Sequence, residues 1–252
     1  MQRSPLIARA VQYQGRRFIE TMAEVKGAKK TLRAQVKRSL ALLDPDTVVS
    51  QSRRAQEKLL TLAQYQQAKS LSVYLSMPTG EASTDLIVRD ALQAGKAVFV
   101  PHMYKSAASG SAKPAKYMDM LRLDSLDDYI SLEKDNWGIP TLPGSSIAQR
   151  ENAMGGRGLA SSGSEPSAGE LDMILMPAVA FDLHMRRLGH GAGYYDSFLS
   201  RYIVDAGYRK PLLVGLCLAE QVLPAGDDIP VTDFDWSVDM VIAGDGRSLS
   251  QQ

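Results

Sequence analysis

The chain has 252 residues, 44% hydrophobic and 23% charged, enough apolar material for one globular domain with a full core. No stretch approaches 18 consecutive apolar residues, so no membrane span is expected, and the net charge of +1 gives no general case for nucleic-acid binding. The single cysteine, Cys217, lies in the apolar run 212–218 and has no partner for an intrachain disulfide; it reads as a small core residue in a reducing compartment.

Charge is unevenly placed. Residues 1–43 carry ten Lys and Arg against two Glu, a balance of +8, and the rest of the chain carries −7. The first 21 residues hold Arg3, Arg9, Arg16 and Arg17 with one acid, Glu20. They read as an N-terminal extension, disordered or serving as a mitochondrial presequence, so the expected location is the cytoplasm with the mitochondrion as alternative. From 22 to 43, Val25, Leu32, Val36, Leu40 and Leu43 follow a helical spacing in which Lys29 also falls. Asp44-Pro45 supplies an N-cap and a first-turn proline for a second helix running to about Leu62.

The run Leu71–Ser76 predicts a strand, followed by the loop Met77-Pro78-Thr79-Gly80-Glu81 and a helix capped at Ser83 or Thr84 that ends before Gly95. Ala97–Pro101 predicts the next strand, which makes a parallel crossover unit. Loops at the carboxyl ends of such strands carry ligand sites, and Glu81 lies in one. Residues 105–116 are of low complexity and read as a loop insertion, 117–123 as a strand, and the Gly- and Ser-rich residues 148–170 as a second, disordered insertion.

The residues with most chemical content follow the apolar strand candidate Asp172–Pro177. They are Arg187-Leu188-Gly189-His190-Gly191-Ala192-Gly193-Tyr194-Tyr195-Asp196, preceded by Phe181-Asp182 and followed by helical spacing in Phe198, Leu199, Tyr202 and Ile203. The order strand, Gly-rich loop, helix places free backbone N–H groups and the positive end of a helix dipole where an anion such as phosphate binds. Arg186 and Arg187 add permanent charge. The spacing is neither a P-loop nor a dinucleotide fingerprint, and His102, His184 and His190 lack zinc-ligand spacing. Strands then recur at 211–218 and 238–243, with the acids Asp233, Asp235 and Asp239 between and around them.

The full string resembles the signature of the 5-formyltetrahydrofolate cyclo-ligase (methenyltetrahydrofolate synthetase) family, and the resemblance extends over about residues 27–243, the insertions excepted. It implies a single catalytic domain over 22–246, an α/β three-layer α/β/α sandwich with a mainly parallel, Rossmann-like sheet. It also implies ATP as co-substrate and Mg2+ as cofactor, with small-molecule substrates, no nucleic-acid or membrane partner, and a monomer favoured. The segment Lys29-Lys30-Thr31-Leu32-Arg33 matches the family's ATP-contacting start, and Arg187, Leu188, Gly189, His190, Gly191, Ala192, Gly193, Tyr194 and Tyr195 match its phosphate loop. By the same resemblance Asp196 and Asp235 hold magnesium, Arg187 and Asp196 are catalytic, and Leu75, Glu81, Trp137 and Tyr194 contact the folate. Two departures stand out: Met185, where relatives carry Gly, and Ala192, where they carry Gly or Lys. A catalytically idle relative that binds nucleotide or folate and regulates a partner, and a sugar-phosphate isomerase or CoA-transferase of similar fold, are the competing expectations; magnesium-dependent ATP turnover separates the first from a cyclo-ligase, and substrate-dependent ADP release excludes the second.

Overall fold

The computed structural model describes residues 5–106, 115–160 and 168–250, with side chains from Met22 onward. A 36-residue helix, α1 (Pro5–Leu40), opens the chain. It runs unbroken through Gly27, because one interior glycine costs only about 1 kcal/mol against Ala. The helix therefore begins well before the expected residue 22; the side chains of the proposed extension lie outside the described residues. Val36 and Leu40 are buried and Leu32 packs beside them, so the apolar stripe read from the sequence is the face that meets the core. Asp44 caps α2 (Pro45–Leu60), accepting from the Thr47 backbone N–H at 2.8 Å.

After α3 (Ala63–Gln67) come β1 (Ser70–Ser72), α4 (Asp85–Gln93), β2 (Ala97–Ser106) and β3 (Ala115–Leu123). The segment α5 (Leu126–Ile130) leads to a small ribbon, β4 (Glu133–Lys134) and β5 (Pro140–Thr141), whose turn carries Trp137. Then follow β6 (Met173–Met176), the hairpin β7 (Ala180–Phe181) and β8 (Arg187–Leu188), α6 (Tyr194–Leu199), β9 (Leu212–Cys217), β10 (Met240–Ala243) and β11 (Ser248–Ser250).

Seven strands form the main sheet in the order β11-β10-β9-β6-β1-β2-β3. The five inner strands are parallel, and β3 and β11 close the two edges antiparallel. Alternate residues of each strand feed opposite faces, as the pleat requires. Leu71, Met173, Leu175, Val214 and Leu216 join α1, α2 and α4 in one core, whereas Phe99, Ile174, Met176, Leu213 and Val241 join Phe198 and Tyr202 in the other. The expected α/β sandwich with a mainly parallel sheet is thus observed, helices lying on both faces.

Between β1 and β6 the order of connection reverses. From β1 the chain moves out through β2 and β3, then returns to β6 on the other side and continues through β9 and β10. Loops leaving the carboxyl ends of these two neighbours diverge and open a crevice, the usual ligand position in an open α/β sheet.

Three expectations need correction. Residues 148–160 are not a disordered insertion: Asn152 is fully buried, and Arg150, 3% exposed, bonds Asp128 through two guanidinium nitrogens at 2.6 and 2.7 Å and the Arg122 carbonyl at 2.8 Å. Glu151 meets Arg122 at 2.6 Å, and Asn152 meets the buried Asp119 at 3.1 Å. Polar pairing orders this segment, and a search for apolar periodicity does not register polar pairing. Residues 105–106 and 115–116 are paired ends of the β2–β3 hairpin rather than loop; residues 107–114 and 161–167, the centres of both proposed insertions, lie outside the described residues. Finally, the hairpin β7–β8 stands between the strand β6 and the Gly-rich loop, where a direct connection was expected.

That hairpin is built on Asp182, which is fully buried. Its carboxylate accepts from the backbone N–H groups of His184, Arg186 and Ile229 and from Arg186 Nε, at 2.7 to 3.0 Å. Met185 sits at the turn with φ +62°, the left-handed region in which glycine is at home. Here the turn forms without glycine because the Met185 side chain is buried, at 2% exposure, in the core under α6, and its carbonyl accepts from Val238 N at 2.9 Å. The left-handed conformation costs an L-residue about 1–2 kcal/mol, whereas removing a buried Met side chain costs about 2–5 kcal/mol. Met185→Gly is therefore expected to destabilise the protein by about 1–3 kcal/mol, read from the urea midpoint; a stabilised variant would mean that backbone strain outweighs packing.

Candidate functional site

The site is assembled by four elements at the sheet's switch point. β8 delivers Arg187, whose side chain is almost wholly buried and whose Nη2 bonds Asp196 Oδ1 at 2.6 Å. Asp196 lies in the first turn of α6, and its Oδ1 also accepts from the Trp236 backbone N–H at 3.0 Å. Trp236 follows Asp235, so this bond brings the 232–236 segment against the Gly-rich loop. Asp235 in turn takes Lys29 Nζ at 2.6 and 2.7 Å, together with the N–H and hydroxyl of Thr232 at 2.7 and 2.8 Å. Burial would raise the Asp235 pKa, but the bonds from Lys29 and Thr232 outweigh it and hold the carboxyl below the ordinary carboxylate range.

Two guanidinium groups flank the loop backbone. Arg33 Nε donates to the Gly189 carbonyl at 2.7 Å, and its guanidinium lies where a Cβ on Gly191 would come within 3.4 Å of its central carbon. A Cβ on Gly189 would meet Arg187 Nη1 at 3.0 Å. These two glycines thus serve close approach, and Gly191 has in addition a φ of +102°. Gly193, at φ +71°, turns the chain into α6.

The stripe on α1 explains which members of the Lys29–Arg33 segment arrive. Lys29 and Arg33, four residues apart, share the face toward the loop. Lys30 and Thr31 are exposed, and the Thr31 hydroxyl is spent on the Gly27 carbonyl at 3.3 Å; the structure does not bring them to the site. Leu32 packs against the core, and Leu188 is fully buried in it. His190 and Ala192 are exposed on the loop, so the Cβ of Ala192 meets no crowding in the core. Tyr194 is half-buried against the core under α6. Tyr195 packs its ring under the Arg187 guanidinium, 5.8 Å from the ring centre, and buries a hydroxyl that finds no hydrogen-bond partner among the described residues. Burial pushes the Tyr195 pKa well up, so the phenol stays neutral.

Beside the loop lies a cleft of about 850 Å³. Its walls are the end of α1, the start of α2, the 77–80 loop after β1, the Trp137 turn, Val179 and His190. Trp137 is 75% exposed at its rim, held by the Asp135 carboxylate, which accepts from Trp137 N at 2.8 Å and Ile139 N at 3.0 Å. Glu81 follows Gly80 of the wall and is buried, its carboxylate accepting from Met77 N at 2.6 Å. Leu75 is buried three residues beyond the end of β1, which stops at Ser72 rather than running to Ser76 as expected. Sequence reasoning did not single out Lys37 as a wall of this cleft, or Thr232 as the support of Asp235; for Lys37 the signal was present, since it continues the Lys29–Arg33 stripe by one turn.

Carboxylates for a divalent cation are fewer than a dedicated metal cage would need. No group of three or more His, Cys, Asp or Glu is placed to hold a metal among the described residues. A nucleotide's magnesium needs only one or two carboxylates, because phosphates and water supply the rest. Asp196 fits that demand: both its contacts fall on Oδ1, leaving Oδ2 without a partner among the described residues. Asp235 fits it less well, with both oxygens engaged by Lys29.

Fold and site together define an α/β protein with a Gly-rich loop flanked by guanidinium groups at the switch point of a parallel sheet. The model of the 5-formyltetrahydrofolate cyclo-ligase family matches residues 25–244. The 5-formyltetrahydrofolate cyclo-ligase of Mus musculus is 35% identical over 88% of this chain and 96% of its own, and that of Saccharomyces cerevisiae 33% over 86% and 96%. A solved structure of Aquifex aeolicus 5,10-methenyltetrahydrofolate synthetase has the same fold, with a TM-score of 0.59 at 23% identity over 88% of this chain and 92% of that one. The chain belongs to the 5-formyltetrahydrofolate cyclo-ligase family and is an enzyme of that class. No helix among the described residues is long and apolar enough to cross a membrane.

Glu81 yields a test of the site's electrostatics. Burial pushes its pKa up from 4.5 to about 7, against the opposing bond from Met77 N. The folded state then binds more protons than the unfolded state between about pH 4.5 and about 7, so this group lowers stability as pH rises through that window. Glu81→Gln should match wild type near pH 4.5 and exceed it at pH 8 by about 1–3 kcal/mol in denaturant unfolding. Equal stability at both pH values would mean the carboxylate is not penalised by burial.

Proposed function

We propose that the chain closes the ring of 5-formyltetrahydrofolate to give 5,10-methenyltetrahydrofolate, driven by ATP and magnesium, with release of ADP and phosphate. The observation that carries this reading is the adjacency of two differently built spaces. A Gly-rich cradle edged by Lys29, Arg33 and Arg187 suits phosphate groups, and an apolar cleft beside it, with the buried Glu81 near its wall, suits a flat heteroaromatic substrate.

The formyl oxygen of an amide is a poor leaving group. Its attack on the γ-phosphorus of ATP breaks the bond to ADP and yields an imidate phosphate. N10 of the folate then attacks the imidate carbon, phosphate departs with the former formyl oxygen, and the N10 proton is lost to a base or to water. Such a sequence asks the protein for positioning and charge neutralisation rather than for a nucleophilic side chain. Backbone N–H groups of 189–193 orient the phosphates, and Arg33 and Arg187 offset their charge. Asp196, through Oδ2, would hold magnesium with Asp235 nearby, and the bound cation supplies neutralisation of charge on the phosphate oxygens. Arg187 keeps the Asp196 carboxylate aimed by bonding its other oxygen. Glu81 and Leu75 fix the pterin, and Trp137 and Tyr194 provide aromatic surface to it. The reading of an inactive relative draws no support from Met185, whose turn is intact.

The test is methenyltetrahydrofolate formation followed by near-ultraviolet absorbance with purified protein, 5-formyltetrahydrofolate and MgATP. Product should require ATP, and Asp196→Ala should lower kcat by at least about a hundredfold. Product formed without ATP would overturn the phosphorylated intermediate; ATP-dependent turnover undiminished in Asp196→Ala would remove Asp196 from the metal.

A further inference from the structure

Asp196 and Asp235 each have one oxygen held by their own surroundings. Asp196 Oδ1 is held by Arg187 and the Trp236 N–H, and Asp235 Oδ2 by the N–H and hydroxyl of Thr232. The second oxygens differ. Asp196 Oδ2 has no partner among the described residues, whereas Asp235 Oδ1 accepts from Lys29 Nζ at 2.7 Å. The same ammonium reaches Oδ2 at 2.6 Å, so it clasps the whole carboxylate. A cation in that position occupies the place that any other cation on Asp235 needs. The pair is mostly out of water, with 13% of the Lys29 side chain and 22% of the Asp235 side chain exposed, so neither charge is well served by solvent if the other leaves. Lys29 also shares a face of α1 with Arg33, whose Nε bonds the Gly189 carbonyl, which sets the ammonium beside the Gly-rich loop. A point charge with three rotatable donors on a four-carbon stem can turn from one acceptor to another.

We infer that the Lys29 ammonium stands in for the divalent cation on Asp235 in the nucleotide-free protein, and that it leaves Asp235 for the phosphates when nucleotide and metal arrive together. This rests on the MgATP reading of the site. Metal-free ATP can recruit Lys29 only by stripping a largely buried carboxylate of its partner and leaving it beside an anion. A divalent cation alone can reach Asp235 only by displacing an ammonium that then has no acceptor. Arriving together, each ligand satisfies the group that the other releases, so the Lys29–Asp235 pair couples the two binding events, and the coupling is reciprocal. Thr232 keeps the carboxylate aimed through the exchange, because its two bonds fall on Oδ2 and leave Oδ1 to the incoming cation. The pair is thus an autoinhibitory contact that discriminates against nucleotide without its metal.

Equilibrium titrations of wild type, Asp235→Asn, Lys29→Met and the double variant test this, with two probes: ATP in the presence of EDTA, followed by calorimetry, and Mn2+ alone, followed by electron paramagnetic resonance. Asp235→Asn releases Lys29 and should bind metal-free ATP about tenfold tighter than wild type. Removing a negative charge near an anion favours binding by itself, so the same change is made in Lys29→Met, where it should gain less than about threefold; the difference between the two backgrounds is the coupling. Lys29→Met bares Asp235 and should bind Mn2+ alone about tenfold tighter than wild type. If Lys29→Met does not fold, Lys29→Gln, which keeps a donor toward Asp235, takes its place. An equal gain from Asp235→Asn in both backgrounds, or no gain, overturns the exchange, and so does an unchanged Mn2+ affinity. Wild type is also titrated with MgATP and assayed for methenyltetrahydrofolate. MgATP binding and turnover without coupling sinks the exchange alone, whereas a wild type that neither binds MgATP nor turns over sinks the functional reading and the exchange with it.

Discussion

Arg187 is a guanidinium held almost entirely out of water, and it cannot be discharged there. Leaving such a charge without a partner costs several kcal/mol, of the order of 3–5 when one member of a buried pair is removed. The site's architecture follows from meeting that demand. Asp196 must lie in the first turn of the next helix to reach Nη2, residue 189 must lack a Cβ to let Nη1 approach, and Tyr195 must lay its ring beside the cation. Because Asp196 also takes the Trp236 N–H, the same ion pair draws in Asp235, and Asp235 draws in Lys29 from the far end of the chain. Segments some 200 residues apart in sequence meet through two linked ion pairs, Lys29 to Asp235 being 206 positions.

Those pairs are affordable only where the sheet opens. β1 and β6 are neighbours whose outgoing loops part, so the carboxyl edge between them can hold polar groups without breaking the apolar layers on either face. The hairpin β7–β8 carries Arg187 from β6 into that gap. Its turn is held by Asp182, whose four accepted bonds settle a buried carboxylate in the same way that Asp196 settles a buried guanidinium. Glu81 is the contrast. It accepts a single bond in a buried place, which leaves its carboxyl easily protonated.

The parts of the fold legible in the sequence are those governed by local periodicity. The apolar stripe of α1, the Asp44-Pro45 cap and the inner strands depend on spacing and on capping chemistry, and both are written within a few residues. Residues 148–160 were not legible, because Arg150, Glu151 and Asn152 are ordered by Asp128, Arg122 and Asp119, partners that no local pattern announces. In the candidate site, the Gly-rich string marked the loop that the fold brings against Arg33 and Arg187, and the i, i+4 relation of Lys29 and Arg33 showed a common face. That Lys30 and Thr31 face away follows from the same helical geometry, which a linear motif does not express.

By itself, then, the sequence determined an α/β sandwich, the family, and the short-range groups of the Gly-rich loop, since each of these is carried by residue types at fixed separations. Tertiary structure decided which charges are paired and which are left free. Asp196 and Asp235 are both carboxylates in the string, but only the fold engages Asp235 through both oxygens and leaves Asp196 with one. Lys29 and Lys37 are alike on α1, but only packing against the 232–236 segment neutralises the first and leaves the second facing a cleft. The physical reason is that a side chain's charge state and reach are properties of its surroundings, and those surroundings come from remote parts of the chain.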